Sequence, residues 1–295
     1  MLSRITLFLA LLCAAIAAPA QRSSVLPLER PWLGLPQTGV ILNGHVAARM
    51  IIDTAASETM LSDATVARLG LESRGRPATV NGATGSNSVE YYRLRSLQVG
   101  EHLYRRIGAY GFPQLAAPVE ADGLLGADIL RRHVVEFDMP RGSLILHNPR
   151  TDIRALGDID WHVIPTSRRA DGLMLVRARI GNVTMPALID TGAVQSFINR
   201  EAARRLGLRF VPESASIAPI TGVSGHVQEM NQMEISRFSI GDVEFGASRM
   251  GVGDLSIFDA LEIGDGPAMM LSADVLGDRR FVIDYPRGRL LIEQR

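Results

Sequence analysis

Residues 187–193 have the sequence Ala-Leu-Ile-Asp-Thr-Gly-Ala, in which an apolar run ends in an acid, a hydroxyl and a glycine. This pattern predicts a buried strand that delivers the carboxylate of Asp190 into a tight turn. A similar phrase, Met-Ile-Ile-Asp-Thr-Ala-Ala, occurs earlier over residues 50–56. Asp53 and Asp190 lie 190 − 53 = 137 residues apart. The fold therefore depends on whether the chain is a duplication that brings these two aspartates together.

Other motifs repeat in the same order around the two aspartates. Leu-Gly-Leu over residues 69–71 recurs over residues 206–208, again 137 positions later. Asp-x-Pro-Arg-Gly over residues 138–142 recurs over residues 284–288, 284 − 138 = 146 positions later. Insertions in loops, 146 − 137 = 9 residues in total, account for the difference between the two offsets. The chain is therefore predicted to hold two units of about 130 residues each.

Each unit is predicted to consist mainly of short strands, so the fold class is mainly β. Short helices are expected after Ser62 and Asn199, which can cap them, and before Gly70 and Gly207, which can end them. Glycine-rich turns end strands in both units. We assign residues 1–20 to a signal peptide, 21–150 to an N-terminal lobe, 151–160 to a linker and 161–295 to a C-terminal lobe.

The N-terminal segment has the features of an export signal. Arg4 is followed by an apolar run over residues 5–16 and a cleavage site at residues 18–20. We expect a mature chain that begins near Gln21 and has no stable membrane insertion; an uncleaved anchor is the alternative. The only cysteine, Cys13, lies in this segment, so the mature chain would have no disulfide. This favours a bacterial periplasmic or secreted protein.

Composition and motifs argue against several classes of function. The 31 basic and 31 acidic residues balance and aromatic residues make up only 5%, so no nucleic-acid partner is indicated. The six histidines are scattered without a His-Glu-x-x-His motif, which argues against zinc hydrolysis. Gly-x-Ser-x-Gly is absent from the sequence. We therefore expect neither a metal nor a cofactor.

The two aspartates suggest their own chemistry. In a duplicated fold with a pseudo-two-fold axis, the carboxylates of Asp53 and Asp190 can face each other. Like charges at close range share one proton, and the pair titrates with two separated apparent pKa values. The ionised carboxylate then takes a proton from a water, and its protonated partner donates to the carbonyl under attack.

The order of motifs from about residue 35 to the C-terminus resembles that of retropepsin-like and pepsin-like aspartic proteases. In both halves, Asp-Thr-Gly/Ala-Ala precedes a glycine-rich tip and then an apolar-apolar-Gly/Ser segment before a short helix. The resemblance implies a duplicated two-lobe acid-protease fold, with each lobe a closed β-barrel. It also implies an aspartic endopeptidase that cleaves peptide or protein substrates without a cofactor. One chain holds both aspartates, so we expect a monomer.

The resemblance implies a role for particular residues. Asp53 and Asp190 would be the catalytic pair, and Thr54 and Thr191 would hydrogen-bond across the interface between the lobes. Residues 124–126 and 270–272 would thread behind the catalytic loops. The flaps that close over an extended peptide would be formed by Gly82, Ala83, Thr84 and Gly85 and by Gly222, Val223, Ser224 and Gly225.

Two departures from the family pattern lie beside the dyad. Ala55 stands where the motif has glycine, as Gly192 does in the second copy, and its methyl group is expected to crowd the loop or require different backbone angles. Ser272 replaces the glycine of the second threading strand. These departures motivate an alternative, a catalytically weak or inactive homologue that binds extended peptides. A glycosidase would require a wider separation of the two carboxyl groups.

Other residues around the motif refine these expectations. Ala56 and Ala193 stand where pepsins usually offer a hydroxyl to the catalytic carboxylate, and losing that bond raises the lower pKa of the dyad. We therefore expect a mildly acidic to near-neutral pH optimum. Four further acids repeat between the halves and are interpreted as structural. Asp138 and Asp284 are expected to cap turns, and Asp128 and Asp274 to lie at the surface or at helix starts.

Overall fold

The computed structural model describes residues 23–31, 34–112, 120–157, 159–208, 216–221 and 227–294. The predicted signal peptide, residues 1–20, and the second flap tip, residues 222–225, lie outside the described residues. Within the described part of the chain, no helix is both long and apolar enough to cross a membrane.

The described elements repeat in the two halves, which confirms the mainly β, duplicated fold. Those of the first half are β1 (Ser24–Pro27), β2 (Gln37–Leu42), β3 (Val46–Ile52), β4 (Met60–Ser62), α1 (Asp63–Arg68), β5 (Ala78–Gly82), β6 (Gly85–Val89), β7 (Tyr91–Val99), β8 (His102–Phe112), β9 (Gly123–Leu125), α2 (Ala127–Leu130), β10 (Val134–Asp138) and β11 (Ser143–His147). A short 3-10 turn, Ile153–Ala155, connects the halves. Those of the second half are β12 (Trp161–Pro165), β13 (Ser167–Arg168), β14 (Met174–Ile180), β15 (Val183–Asp190), β16 (Phe197–Ile198), α3 (Arg200–Arg205), β17 (Ser216–Thr221), β18 (Val227–Ile235), β19 (Phe238–Ile240), β20 (Val243–Phe245), β21 (Ser248–Val252), α4 (Ser256–Ala260), β22 (Met269–Ser272), α5 (Ala273–Leu276), β23 (Arg280–Asp284) and β24 (Arg289–Glu293).

The N-terminal lobe is a closed barrel with the strand order β2-β3-β9-β4-β8-β7. The short strand β9 threads between β3, to which it is parallel, and β4, to which it is antiparallel. At the end of β3, Met50, Ile51 and Ile52 are all buried because the strand is covered on both faces. This packing fixes the point at which the chain leaves the core and presents Asp53.

The C-terminal lobe repeats the threading but does not repeat the closed barrel. Strand β22 runs parallel to β15 and antiparallel to β16, as β9 does in the first lobe. The counterpart of β7 is split into β18 and β19 at residues 236–237, and that of β8 into β20 and β21 at residues 246–247. Because both strands break at the same level, β19 pairs with β14 whereas β21 pairs with β16. The duplicated two-lobe fold is as predicted, but the sheet in the described part of this lobe is a half-barrel and not the fully closed barrel expected.

A six-stranded sheet, β1-β11-β10-β23-β24-β12, joins the two lobes. Its central pair, β10 and β23, is antiparallel, with Glu136 opposite Val282 and Phe137 opposite Phe281. The two phenylalanine rings stack with their centroids 4.6 Å apart. Glu136 and Val282 are themselves 146 residues apart, so the pseudo-two-fold axis of the duplication passes between them.

Local signals place the helices and turns as predicted. The side chain of Ser62 accepts a hydrogen bond from Thr65 N at 3.2 Å, and that of Asn199 accepts one from Ala202 N at 2.9 Å. Each side chain satisfies a free amide of the first helical turn. The structural role predicted for the Asp-x-Pro-Arg-Gly acids is also confirmed. Each acid accepts a 3.2 Å bond from the amide three residues later, Asp138 from Arg141 and Asp284 from Arg287.

Candidate active site

The two catalytic-motif loops meet where β3 and β15 end at the lobe interface. Asp53 Oδ1 accepts hydrogen bonds from Ala55 N at 2.8 Å and Ala56 N at 2.9 Å. Asp190 Oδ1 accepts one from Gly192 N at 2.8 Å. Each turn therefore uses its own amides to hold one oxygen of its carboxylate in place.

Reciprocal hydrogen bonds link the two loops through their threonines. Thr54 Oγ1 donates to Ile189 O at 2.8 Å, and Thr191 Oγ1 donates to Ile52 O at 2.6 Å. In return, Thr191 N donates to Thr54 Oγ1 at 3.1 Å, and Thr54 N donates to Thr191 Oγ1 at 3.3 Å. Both threonines are buried. This reciprocal pattern holds the two aspartates at the same level on opposite sides of the interface.

The electrostatic environment keeps a proton on the pair. Burial and the neighbouring Asp53 carboxylate hold the pKa of Asp190 well above its ordinary value. Burial also raises the pKa of Asp53, against the amide bonds from Ala55 and Ala56 that lower it. Both pKa values are raised, so the buried pair holds one proton between its two carboxyl groups, and the two titration steps belong to the pair.

Gly192 and Ala55 occupy equivalent positions but have different surroundings. A Cβ atom on Gly192 would lie 2.5 Å from Asp53 Oδ2 and 2.8 Å from Asp53 Oδ1, so only glycine fits. The backbone of Ala55 does not adopt the left-handed conformation that would favour glycine. Its methyl group packs against an apolar cluster contributed mainly by the C-terminal lobe, which includes Leu173 and Leu188. The expected crowding of the loop by Ala55 is therefore not observed.

The threading strands contact the loops differently in the two lobes. A Cβ atom on Gly126 would lie 2.6 Å from Glu58 O. The equivalent Ser272 is fully buried, and its hydroxyl has no hydrogen-bond partner among the described residues. The C-terminal lobe therefore tolerates a side chain that the N-terminal lobe excludes.

The repeated acids of the short helices support the catalytic loops. Asp128 Oδ1 accepts a 2.7 Å bond from Thr59 Oγ1, and Asp274 Oδ1 accepts a 2.7 Å bond from Ser196 Oγ. Asp128 is buried, and burial raises its pKa to about 6. Asp128 does lie at the start of α2, as predicted, but it is buried and not at the surface, because its carboxylate accepts the hydrogen bond from Thr59.

The first predicted flap is a separate two-stranded hairpin. In the part of the chain that the structure describes, β5 and β6 pair only with each other, and Gly82 lies opposite Gly85. At its tip, Thr84 is 8% exposed, and Ala83 O accepts a 3.0 Å hydrogen bond from Ser256 N of α4 in the other lobe. The tip therefore reaches from the N-terminal lobe to the C-terminal lobe.

Two features near the site were not predicted from the sequence. Helix α4 has no strong sequence signal, because its cap residue, Leu255, makes no side-chain cap hydrogen bond. Tyr285 is buried with its hydroxyl unpartnered among the described residues, and burial together with the charge of Asp53 raises its pKa. The signal for Tyr285 was available, because it replaces Met139 in the repeated Asp-x-Pro-Arg-Gly motif. Groups of three or more side chains suited to bind a metal are absent from the described part of the chain.

Comparison with known families assigns both halves to the same class of protein, the aspartyl proteases. Residues 38–132 match the family described as "gag-polyprotein putative aspartyl protease", and residues 176–275 match the family described as "Aspartyl protease". One aspartate lies in each match. The chain thus belongs to the retropepsin-like aspartic proteases and carries two such domains in tandem. A search of curated proteins found no match.

Proposed function

We propose that this chain is an aspartic endopeptidase in which Asp53 and Asp190 activate a water at the lobe interface. The observation that carries the proposal is the reciprocal hydrogen bonding of Thr54 and Thr191. It gives each aspartate the same support from the opposite loop, as a shared-proton mechanism requires.

The raised pKa values of both aspartates support a starting state in which the pair shares one proton. The ionised carboxylate of the pair takes a proton from the water, while its protonated partner donates to the carbonyl oxygen of the peptide bond. The attack gives a tetrahedral diol. The carboxyl group that took the proton from the water then gives it to the leaving amine, and its partner recovers its own proton as the carbonyl reforms. Besides the peptide, the reaction uses only water and the two carboxyl groups.

The substrates we propose are extended peptides and unfolded proteins, and the protein acts as a monomer outside the cytoplasm. The β5–β6 hairpin reaches from the first lobe to α4 of the second, an arrangement that suits an extended chain held beneath it. The N-terminal segment supports export to the periplasm or the medium, because its apolar run and cleavage site have the pattern of a signal peptide.

The test measures cleavage of unfolded protein substrates from pH 3 to pH 8 by the purified protein, with and without a statine-type transition-state mimic. We expect Asp53→Asn and Asp190→Asn each to lower kcat/KM by at least about 100-fold, since each removes one partner of the proton exchange. Asp242→Asn, which changes an exposed carboxylate, is the matched control. Because burial raises both pKa values of the dyad, activity should appear at mildly acidic to near-neutral pH.

The alternative of a peptide-binding homologue without activity predicts a different result. Such a protein would bind the statine-type mimic or an extended peptide but leave every substrate intact at every pH. Equal cleavage by the wild type and both Asp→Asn variants would exclude the two aspartates as the catalytic pair. An activity peak below about pH 3 would contradict the raised pKa values, since an ordinary acidic dyad would then suffice.

A further inference from the structure

The tip of the β5–β6 hairpin is held by a specific contact with the opposite lobe. The carbonyl oxygen of Ala83 accepts a 3.0 Å hydrogen bond from Ser256 N, the first residue of α4. Thr84 beside it is only 8% exposed, which is unusual for the tip of a hairpin. Among the described residues, the hairpin has no strand pairing with the barrel and packs on it through Val80. The contact at its tip is what ties the hairpin to the opposite lobe.

Helix α4, which the tip of the hairpin contacts, packs into the core of the C-terminal lobe. Leu255 and Phe258, at and within α4, are each 1% exposed and pack in a cluster with Phe197 and Met270. Ile257 contacts that cluster and also the cluster on which Ala55 packs. Helix α4 is therefore a fixed part of the C-terminal lobe that lies beside the catalytic loops.

We propose that α4 is a latch for the N-terminal flap, so that the free protein rests with this flap closed and must break the Ala83–Ser256 contact to admit a substrate. The role in substrate entry rests on the proposed peptidase function, whereas the docking itself does not. A single main-chain hydrogen bond shifts an opening equilibrium by only about two- to tenfold. The latch therefore keeps the flap closed but lets it open readily.

The first test removes the donor and leaves the helix in place. Ser256→Pro deletes the amide hydrogen at the first helical position, where proline is well tolerated. Leu255 before it already has φ −83° and ψ 135°, the extended conformation that a residue before proline adopts. Ser256→Ala is the matched control, since it keeps the amide and removes only the hydroxyl.

Hydrogen exchange of the flap amides, residues 78–89, reports on the docking without any need for activity. We expect exchange about two- to tenfold faster in Ser256→Pro than in the wild type, and unchanged in Ser256→Ala. Exchange in β3 and β15 should stay the same in all three proteins. Equal flap exchange in the proline variant and the wild type would overturn the latch.

The second test locks the flap with a disulfide between Ala83→Cys and Ser256→Cys in a Cys13→Ser background, which has no other thiol. The observed contact limits the Cα–Cα distance to about 7 Å, at the upper limit of the range that a disulfide spans. We expect the oxidised protein to lose cleavage and the reduced protein to regain it. Equal cleavage by the two forms, or failure of the pair to oxidise, would overturn the latch. If the wild type and the reduced protein both fail to cut, the peptidase function fails, and flap exchange still decides the docking.

Discussion

The two lobes agree in the backbone around the dyad and differ in the side chains they allow there. Both deliver an aspartate from a buried strand, thread a short strand behind it and exchange threonine hydrogen bonds with the other lobe. Yet the position that Gly192 occupies in the second lobe is Ala55 in the first, and the position of Gly126 in the first lobe is Ser272 in the second. Duplication has preserved the positions of the two aspartates and two threonines more strictly than the packing beneath them.

The difference is explained by what each residue meets. Gly192 has no room for a side chain because the carboxyl group of Asp53 lies against it. Ala55 has room because the C-terminal lobe presents an apolar cluster to its methyl group. Two equivalent positions in a duplicated sequence therefore need not tolerate the same side chains. Contacts from the rest of the fold decide how much room a side chain has at each position.

The largest effect is expected from exchanging the two residues at this position. Gly192→Ala would place a methyl group 2.5 Å from Asp53 Oδ2 and displace the carboxylate. A misplacement of about 1 Å at a reacting group can cost about 100-fold in rate, and we expect kcat/KM to fall by at least that much. Ala55→Gly is the counterpart and should change kcat/KM by less than about tenfold, because only a packed methyl group is lost. Equal losses in the two variants would show that the lobes are equivalent at this position.

The threonine pair provides a comparison in which the lobes should behave alike. Thr54→Val and Thr191→Val each remove a hydroxyl that both donates and accepts across the interface. Each leaves a buried carbonyl and a buried amide without a partner, so we expect the free energy of unfolding to fall by about 2–4 kcal/mol. Urea unfolding of the two variants measures this loss.

The N-terminal lobe also provides a control for the two threonine variants. Thr65→Val changes a buried threonine that bonds only within its own lobe, to Ser62 and Asp122. It should lower stability without altering the coupling between the lobes. A double variant of Thr54 and Thr191 that loses only as much as one single variant would show that the pair acts as a unit.

The sequence predicted the parts of this fold that depend on local signals. Asp53 and Asp190 follow apolar runs that only a buried strand explains, and Ser62 and Asn199 cap helices through contacts three residues away. The interrupted barrel of the second lobe was not predictable in this way. Its broken strands keep a strand-like apolar pattern, and only their pairing with different neighbours opens the ring of hydrogen bonds.

Long-range contacts limit the prediction of the site in the same way. The contact between Ala83 and Ser256 joins residues from opposite lobes, and no local pattern in either segment points to it. The histidines also seemed scattered along the chain. The sheets nevertheless bring His102, His133 and His147 together in the N-terminal lobe, where the rings of His102 and His133 lie 4.4 Å apart.

This histidine cluster is a second difference between the lobes. His133 Nδ1 bonds to His147 O at 3.1 Å, and because a carbonyl only accepts, Nδ1 carries the proton. Its Nε2 then accepts from the hydroxyl of Tyr104. In the C-terminal lobe, the positions of His102 and Tyr104 in the equivalent hairpin are taken by Val243 and Phe245, which cannot titrate.

We expect this cluster to make the protein sensitive to acid. Burial and the neighbouring His102 lower the pKa of His133 from 6.5 to about 4. The unfolded chain therefore binds more protons than the folded chain between these values, so stability rises with pH through this window and is lost as pH falls. The loss from pH 6.5 to pH 4 should be about 2–3 kcal/mol.

Urea unfolding at a series of pH values measures this dependence, and His133→Gln is the variant to compare. Glutamine keeps an acceptor for the hydroxyl of Tyr104 but does not titrate, so the slope between pH 4 and pH 6.5 should flatten even if stability falls at every pH. A slope that persists unchanged in His133→Gln would assign the acid sensitivity to other groups, such as Glu136, whose pKa is lowered by its bonds to His147 and Arg280.

The smallest expected effect lies at the threading strands. Ser272→Ala removes a fully buried hydroxyl that has no partner among the described residues, so we expect the free energy of unfolding to stay the same or rise by up to about 1 kcal/mol. Gly126→Ala at the equivalent position should instead lower it by about 1–3 kcal/mol, because the new methyl group would lie 2.6 Å from Glu58 O. Thermal unfolding of both variants gives the comparison. A loss of stability in Ser272→Ala as large as that in Gly126→Ala would mean that the serine hydroxyl supports the second catalytic loop, and that this lobe has exchanged close backbone packing for a polar contact beneath Asp190.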